Sequence, residues 1–337
     1  MIKEAIEKVV RKIDLTEAET RGVFEEIMSG KAAPGDIRVF LEALRKKGES
    51  VAEITAAAKV MRASSARIDA GGDTVLDTCG TGGSGINTFN ISTTAAFVVA
   101  GCGVKVAKHG NRSASQQCGS ADVLEALGVK IDIAPEPAAK CIREAGIGFM
   151  FAPVFHAAMK YAALPRKELG GKTIFNILGP LSNPAGATHQ VIGVYSPQLT
   201  EIITGVLKNL GSKRAFVVHG MDGLDEITIT DNTKISELKD GRIGTYDVKP
   251  EDFGLKKARL EDIKGSSAKE NAEMLLSVLK ASATPAHRDI VLANASAGLV
   301  CAGCSKNFEE GVKLAAESID SGRALDKLSK LIEITNR

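Results

Sequence analysis

The chain has 337 residues, of which 25% are charged and 44% hydrophobic, with a formal net charge of +2; this is the make-up of a globular protein and excludes disordered and fibrous classes. With 43 basic against 41 acidic residues there is no excess of positive charge to draw nucleic acid. No apolar run approaches the roughly 18 residues of a membrane helix, and Met1–Ala5 lacks the basic-then-apolar order of a signal peptide, so the expectation is a cytoplasmic protein without a membrane partner.

Residues 1 to about 66 carry helical patterns and no convincing strand. Thr16 with Glu19 and Ser50 with Glu53 fit the capping box, and Gly30 and Gly48 stand where helix C-termini favour a left-handed residue, which predicts about four short helices. A break follows at 69–72, the expected hinge. Short β-rich runs then alternate with helices: Thr74–Leu76, Val104–Ala107, Val129–Ile133, Gly148–Phe151, Val191–Tyr195 and Ala215–Val218. Such alternation predicts an α/β fold with a central, mostly parallel sheet. Two helical patterns between about 155 and 183, around Leu164-Pro165-Arg166, interrupt it and are expected to return to the N-terminal helices. The expected organisation is a small helical domain, 1–68 joined by about 166–185, and a larger α/β domain, 73–165 and 186–337, with a cleft between them. Residues 266–337 read as mainly helical, with Asn307 capping a helix that runs to Ile319.

Six scattered cysteines read as buried thiols. Cys301 and Cys304 have the spacing of a redox pair, but no second pair accompanies them and they end an apolar run, so a structural role is expected.

The chemistry-bearing residues follow predicted strands, where open α/β sheets gather their ligands. From Thr78 to Ala121 there is no Asp or Glu. That window holds the glycine loop Gly80–Gly85, the run Asn87–Thr94 at a helix start, and Lys108-His109-Gly110-Asn111-Arg112-Ser113, whose loop continues through Ser115, Gln116, Gln117 and Ser120 with no balancing acid. Free backbone amides, a helix N-terminus and cations are the groups that bind phosphate. The loop matches neither the P-loop nor the dinucleotide fingerprint, so nucleoside triphosphates and dinucleotides are not expected. A third cluster, His219 to Glu226, supplies three carboxylates; beside a polyphosphate site, Asp225 and Glu226 are the expected magnesium partners.

These strings, Asp77–Gly83, Thr88–Thr93, Lys108–Arg112, Gly119–Asp122, Thr173–Asn176 with Gly179-Pro180-Leu181 and Asn183-Pro184, and Asp222–Glu226, resemble anthranilate phosphoribosyltransferases in order over nearly the full length. The resemblance implies transfer of the phosphoribosyl group of 5-phosphoribosyl 1-diphosphate to the amine of anthranilate, a step of tryptophan synthesis, by a homodimer formed through the helical domains. It further implies that Gly80, Gly83, Ser84, Thr88, Asn90, Ile91, Ser92, Thr93, Lys108, His109, Gly110, Asn111, Arg112, Ser113, Ala114, Ser115, Gln116 and Ser120 hold the donor, with electrostatic support from Lys108. Gly80, Asn111 and Arg166 would contact anthranilate, with His109 and His156 lining its path; Ser92, Asp225 and Glu226 would bind Mg2+, two ions per subunit.

The chain departs from the commonest family pattern at Ser84, where Asp is frequent, at Ala157, where Pro usually follows the histidine, and at Gly171-Lys172, where an apolar residue and Arg are common. The alternatives are a pyrimidine-nucleoside phosphorylase, which shares such a two-domain scaffold, and a catalytically silent nucleic-acid-binding relative, which would lose the donor residues and gain a basic face.

Overall fold

The computed structural model describes residues 1–113 and 118–337. Its first four helices are α1 (Ile2–Val10), α2 (Glu17–Met28), α3 (Pro34–Lys47) and α4 (Val51–Ala63). Both capping boxes form: the Thr16 side chain accepts from the Glu19 amide and the Ser50 side chain from the Glu53 amide, each glutamate reaching back in turn. After the connection at 64–74 come β1 (Val75–Gly80), α5 (Ile91–Gly101), β2 (Lys105–Gly110), α6 (Ser120–Ala126), α7 (Pro135–Ala145), β3 (Ile147–Phe151), the single turn α8 (Ala152–Phe155), α9 (Lys160–Leu169) and α10 (Ile174–Leu181). The remainder is β4 (His189–Gly193), α11 (Leu199–Asn209), β5 (Arg214–Gly220), β6 (Thr233–Lys239), β7 (Arg242–Val248), α12 (Ala268–Leu279), α13 (Pro285–Cys301), α14 (Phe308–Asp320) and α15 (Arg323–Thr335). The Asn307 side chain caps α14 by accepting from the Glu310 amide.

The seven strands form one sheet in the order β3-β2-β1-β4-β5-β6-β7. β1 to β5 are parallel and the last two strands antiparallel. β6 and β7 form a hairpin closed by Asp240 and Gly241, both at positive φ (50° and 71°), the conformation an Asp-Gly turn favours. Sequence patterning missed this hairpin although its turn signal was present. The strand expected at Val129–Ile133 does not exist: the segment is irregular and pairs with no strand. Its alternation is nonetheless physical, because Val129, Ile131 and Ile133 are buried while Lys130 and Asp132 are exposed. An extended segment lying on a packed layer shows the same period of two as a strand.

Two apolar cores flank the sheet. One face, with Leu76, Val106, Phe216 and Val218, packs under α5, α13, α14 and α15. The other, with Cys79, Ile192, Ala215 and Val217, shares its core with α4, α10 and α11, and through them with α1 to α3 and α9; Phe24, Phe40 and Phe175 lie at its centre. The 69–73 linker is tied to the α/β layers: Arg143 donates to the Asp69 carbonyl at 3.0 Å, Lys105 to the Gly71 carbonyl, and Thr188 to the Asp73 carbonyl at 2.9 Å.

Candidate active site

From β1 the chain builds the sheet outward through β2 and β3, then returns to lay β4 and β5 on the other side. The β1–β4 junction is therefore the point where the winding reverses, and a crevice opens beyond the carboxyl ends of such strands. There Gly80 pairs with Gly193. The chain then turns through Gly82, Gly83 and Gly85, all at positive φ (65°, 77° and 80°), a path open to glycine and costly for other residues. The loop is anchored to β4, since the Thr81 amide donates to the Gly193 carbonyl at 2.9 Å and the Tyr195 amide to Thr81 Oγ1 at 3.1 Å.

The acids 134 and more residues away in sequence close onto this loop. Asp225 Oδ2 accepts the Gly82 amide at 2.9 Å, and Glu226 Oε1 accepts the Ser92 amide at the start of α5 at 3.2 Å. Asp222 organises their turn, accepting the Leu224 amide at 3.2 Å and the hydroxyls of Thr228 and Thr230. Asn294 of α13 clamps the next residue, accepting the Ile227 amide at 3.0 Å and donating to its carbonyl at 2.8 Å.

Removal from water, then the neighbouring charge of Asp225, pushes the Glu226 carboxyl up to about 8. Neither carboxylate has a salt-bridge partner among the described residues, and no third His, Cys, Asp or Glu of those residues joins them there. Two adjacent carboxylates without a salt-bridge partner, open to a cavity and next to a phosphate-type loop, suit magnesium, which takes one or two carboxylates and fills its remaining positions with water and substrate oxygens. Lys108 stands nearby but is buried: its ammonium donates to the Thr78 carbonyl, and burial lowers its pKa against the opposing pull of Asp77. Asp77 is itself buried, accepting the His109 amide at 3.2 Å and the Asn183 amide nitrogen at 2.7 Å.

On the opposite side of β2, the rings of His109 and His156 lie 5.0 Å apart and are buried. Burial, with their mutual repulsion, holds His109 down at about 3, and burial holds His156 at about 4, so both imidazoles are neutral at pH 7. Arg166 of α9 reaches the same space with its guanidinium 5.3 Å from the Phe175 ring centroid. Its guanidinium makes no hydrogen bond or ion pair among the described residues, and burial alone lowers its pKa. A partly desolvated guanidinium without an acid is poised for an anionic ligand.

One cavity of about 600 Å3 joins these features, within the range of small-molecule sites. Of the residues expected there from sequence, its wall includes Gly80, Gly83, Thr88, Asn90 to Thr93, Lys108 to Ser113, Ser120, His156, Arg166, Asp225 and Glu226. Ser84 lies just outside the wall, and Ala114, Ser115 and Gln116 fall outside the described residues. Met159, Phe175 and Pro180 add apolar wall that was not among the expected substrate contacts, although Phe175 and Pro180 fall within the family-like strings.

Arg112 differs from the expectation of an unbalanced cation. Its guanidinium meets Asp122 at 2.9 Å and Glu125 at 2.8 and 3.0 Å, and these acids raise its pKa. The acids that neutralise it sit on α6, just past the carboxylate-free window, and the fold turns them back onto the loop. Cys301 and Cys304 are free thiols, the first buried with its thiol pushed up to about 12 and the second exposed.

Comparison with known proteins agrees with this geometry. The profile of the glycosyl transferase family helical bundle domain matches residues 3–65, and that of the family's a/b domain matches residues 72–325. An anthranilate phosphoribosyltransferase of Geotalea uraniireducens is 55% identical, with both chains fully covered. The crystal structure of the Thermus thermophilus anthranilate phosphoribosyltransferase superposes with a TM-score of 0.93 at 40% identity, covering 99% of each chain. That of Saccharomyces cerevisiae, in complex with PRPP and Mg, gives 0.91 at 29% identity, covering 99% of this chain and 98% of the yeast one.

Proposed function

The chain belongs to the anthranilate phosphoribosyltransferases, and we propose that its cleft transfers the phosphoribosyl group of phosphoribosyl diphosphate to the amine of anthranilate, releasing diphosphate, in tryptophan synthesis. One observation carries the assignment of the cleft: a carboxylate pair without a salt-bridge partner among the described residues, Asp225 and Glu226, and a guanidinium without an acid, Arg166, open into the same cavity.

The two unmatched charges divide the cavity into two halves. At the β1–β4 end, the glycine-loop amides and the first turn of α5 face the donor, the arrangement that favours phosphate. Asp225 and Glu226, with Ser92 beside them, would hold magnesium there, two ions per subunit; when bound, the metal neutralises charge that gathers on departing diphosphate. Lys108 adds positive charge close to Glu226. At the α9 end, Arg166 orients the anthranilate carboxylate, with Asn111 and Gly80 completing the contact. The aromatic amine is neutral at pH 7 and already nucleophilic, so no general base is needed; the neutral His109 and His156 form an uncharged wall along which it approaches C1 of the ribose. Fixing both substrates and excluding water from the bond being broken lowers the barrier.

The linker at 69–72 is read as the hinge between the helical domain, 1–68 with about 166–185, and the α/β domain. Val10, Ile13, Val39, Tyr161 and Leu164 are exposed apolar side chains on or next to α1, α3 and α9, helices that pack side by side. They support a homodimer formed through this face, which light scattering on the purified protein would test: a monomer at micromolar concentration sinks it. Among the described residues no helix is long and apolar enough to cross a membrane; six unpaired thiols favour a cytoplasmic setting.

The test is direct. Anthranilate, phosphoribosyl diphosphate and Mg2+ are mixed with the protein and the fluorescence of anthranilate is followed. Its decay with diphosphate release is expected; no change at any magnesium concentration overturns the reading.

A further inference from the structure

Asn271 lies in the first turn of α12, outside every motif the site uses, and is fully buried. Both ends of its amide are engaged: Oδ1 accepts the Ser266 backbone amide at 2.7 Å, and Nδ2 donates to Asn90 Oδ1 at 3.1 Å. Asn90 is the residue from which α5 starts. Its Oδ1 also receives the Cys118 thiol at 3.3 Å, and its Nδ2 donates to the Cys118 carbonyl at 3.4 Å. Three distant segments thus meet on one side chain.

An asparagine in the position of Asn90 ordinarily turns its side chain onto the first-turn amides of its own helix. Here it makes no such bond. Its oxygen is drawn the other way by Asn271 and Cys118. The segment before α12 reinforces this: the Gly265 amide donates to the Asn87 carbonyl and Asn87 Nδ2 to the Gly265 carbonyl, both at 3.0 Å, while a Cβ on Gly265 would lie 2.2 Å from the Thr88 carbonyl oxygen. Lys264 and Gly265 thus run against Asn87 and Thr88, with Thr88 and Lys264 bridged antiparallel.

We propose that Asn271 is a positioning residue for the phosphoribosyl-donor half of the cleft, holding Asn90 off its own helix so that the Thr93 amide in the first turn of α5, beside a Ser92 amide already bonded to Glu226, remains open to the donor's phosphate oxygens. A buried amide with both ends matched fixes orientation as well as distance. The inference rests on the reading of residues 80–93 as the donor site.

The test uses Asn271→Asp, which keeps the acceptor for the Ser266 amide but replaces the donor to Asn90 with a second oxygen, and Asn271→Ser beside it. Asn90 is then freed to fold back onto α5. In the whole enzyme the KM for phosphoribosyl diphosphate should rise at least about ten-fold, with calorimetric donor affinity falling in step, while kcat and the KM for anthranilate stay within about two-fold. Asn90→Ala should remove most of the Asn271→Asp effect, because one acts through the other. If either folded variant raises both Michaelis constants equally, or if the two substitutions add independently, the positioning role is overturned; should Asn271→Asp not fold, Asn271→Ser decides by the same split. A wild-type enzyme without transferase turnover would instead remove the functional reading.

Discussion

A Cβ on Gly193 would lie 1.7 Å from the backbone carbonyl oxygen of Asp225, and one on Gly80, its partner across the β1–β4 ladder, 2.8 Å from Asp225 Oδ2. The two strand ends are bare so that the acidic turn can rest on them. Gly193→Ala should therefore lift Asp225 and Glu226 off the glycine loop. We expect a loss of about 1–3 kcal/mol in stability, the usual cost of overpacking, and a fall in kcat/KM of at least about a hundred-fold, since misplacement by an ångström has that scale. Thermal melting with steady-state kinetics over a magnesium series checks both; unchanged magnesium dependence would count against the wedge.

Arg166→Ala should act on one substrate. The guanidinium has no protein acid to release and touches Phe175 at 5.3 Å, so its truncation removes a ligand contact of about 1.5–3 kcal/mol. The KM for anthranilate should rise about ten- to a hundred-fold with that of the donor nearly constant. Equal effects on both would show that Arg166 holds the domains together instead of the acceptor.

Much of this was legible locally. Capping boxes at Thr16 and Ser50 are fixed by residues three apart, and β1, β2, β4 and β5 lie under short apolar runs because a parallel strand is covered on both faces. The glycine loop and the start of α5 are likewise contiguous. What depends on distant contacts was not legible. Arg112 is neutralised only when α6 turns Asp122 and Glu125 toward it, and nothing in the sequence of α12 or α13 separates Asn271 and Asn294 from surface asparagines. Val129–Ile133 shows the converse: a period of two reports alternate burial, while a strand also needs a neighbour to pair with, which lies elsewhere in the chain.

His109 and His156 make the fold acid-sensitive before most carboxylates titrate. Their folded values, about 3 and about 4, lie below the ordinary 6.5, so between those limits the unfolded chain binds protons that the folded one refuses. Stability is complete above about pH 6.5 and falls as the pH drops. From pH 7 to 5 each histidine should remove about 2 kcal/mol. His156→Gln should abolish roughly half of that loss, read from urea midpoints at the two pH values. A wild-type midpoint that does not move over this interval would mean the rings are solvated.

Glu226→Gln separates stability from activity. The carboxyl sits against Asp225 without a salt bridge, and burial and that like charge outweigh the opposing pull of Lys108; like charges brought together out of water destabilise a fold. Because its folded pKa of about 8 is raised above the ordinary 4.5 of a glutamate, its contribution is present at low pH and is lost as the pH climbs through 8. At pH 8.5 without metal the glutamine variant, which retains an acceptor for the Ser92 amide, should be at least about 2 kcal/mol more stable and melt about 3 °C higher or more. Magnesium should reverse the order. Bound only by the native fold, at a hundred times its dissociation constant it would stabilise the wild type by about 2.7 kcal/mol, while the variant, lacking one anionic ligand, would gain much less. Transfer by the variant should fall at least about a hundred-fold. Calorimetric melting with and without magnesium reads this directly, and a variant that melts like the wild type in both buffers would show that the Asp225–Glu226 pair carries no metal.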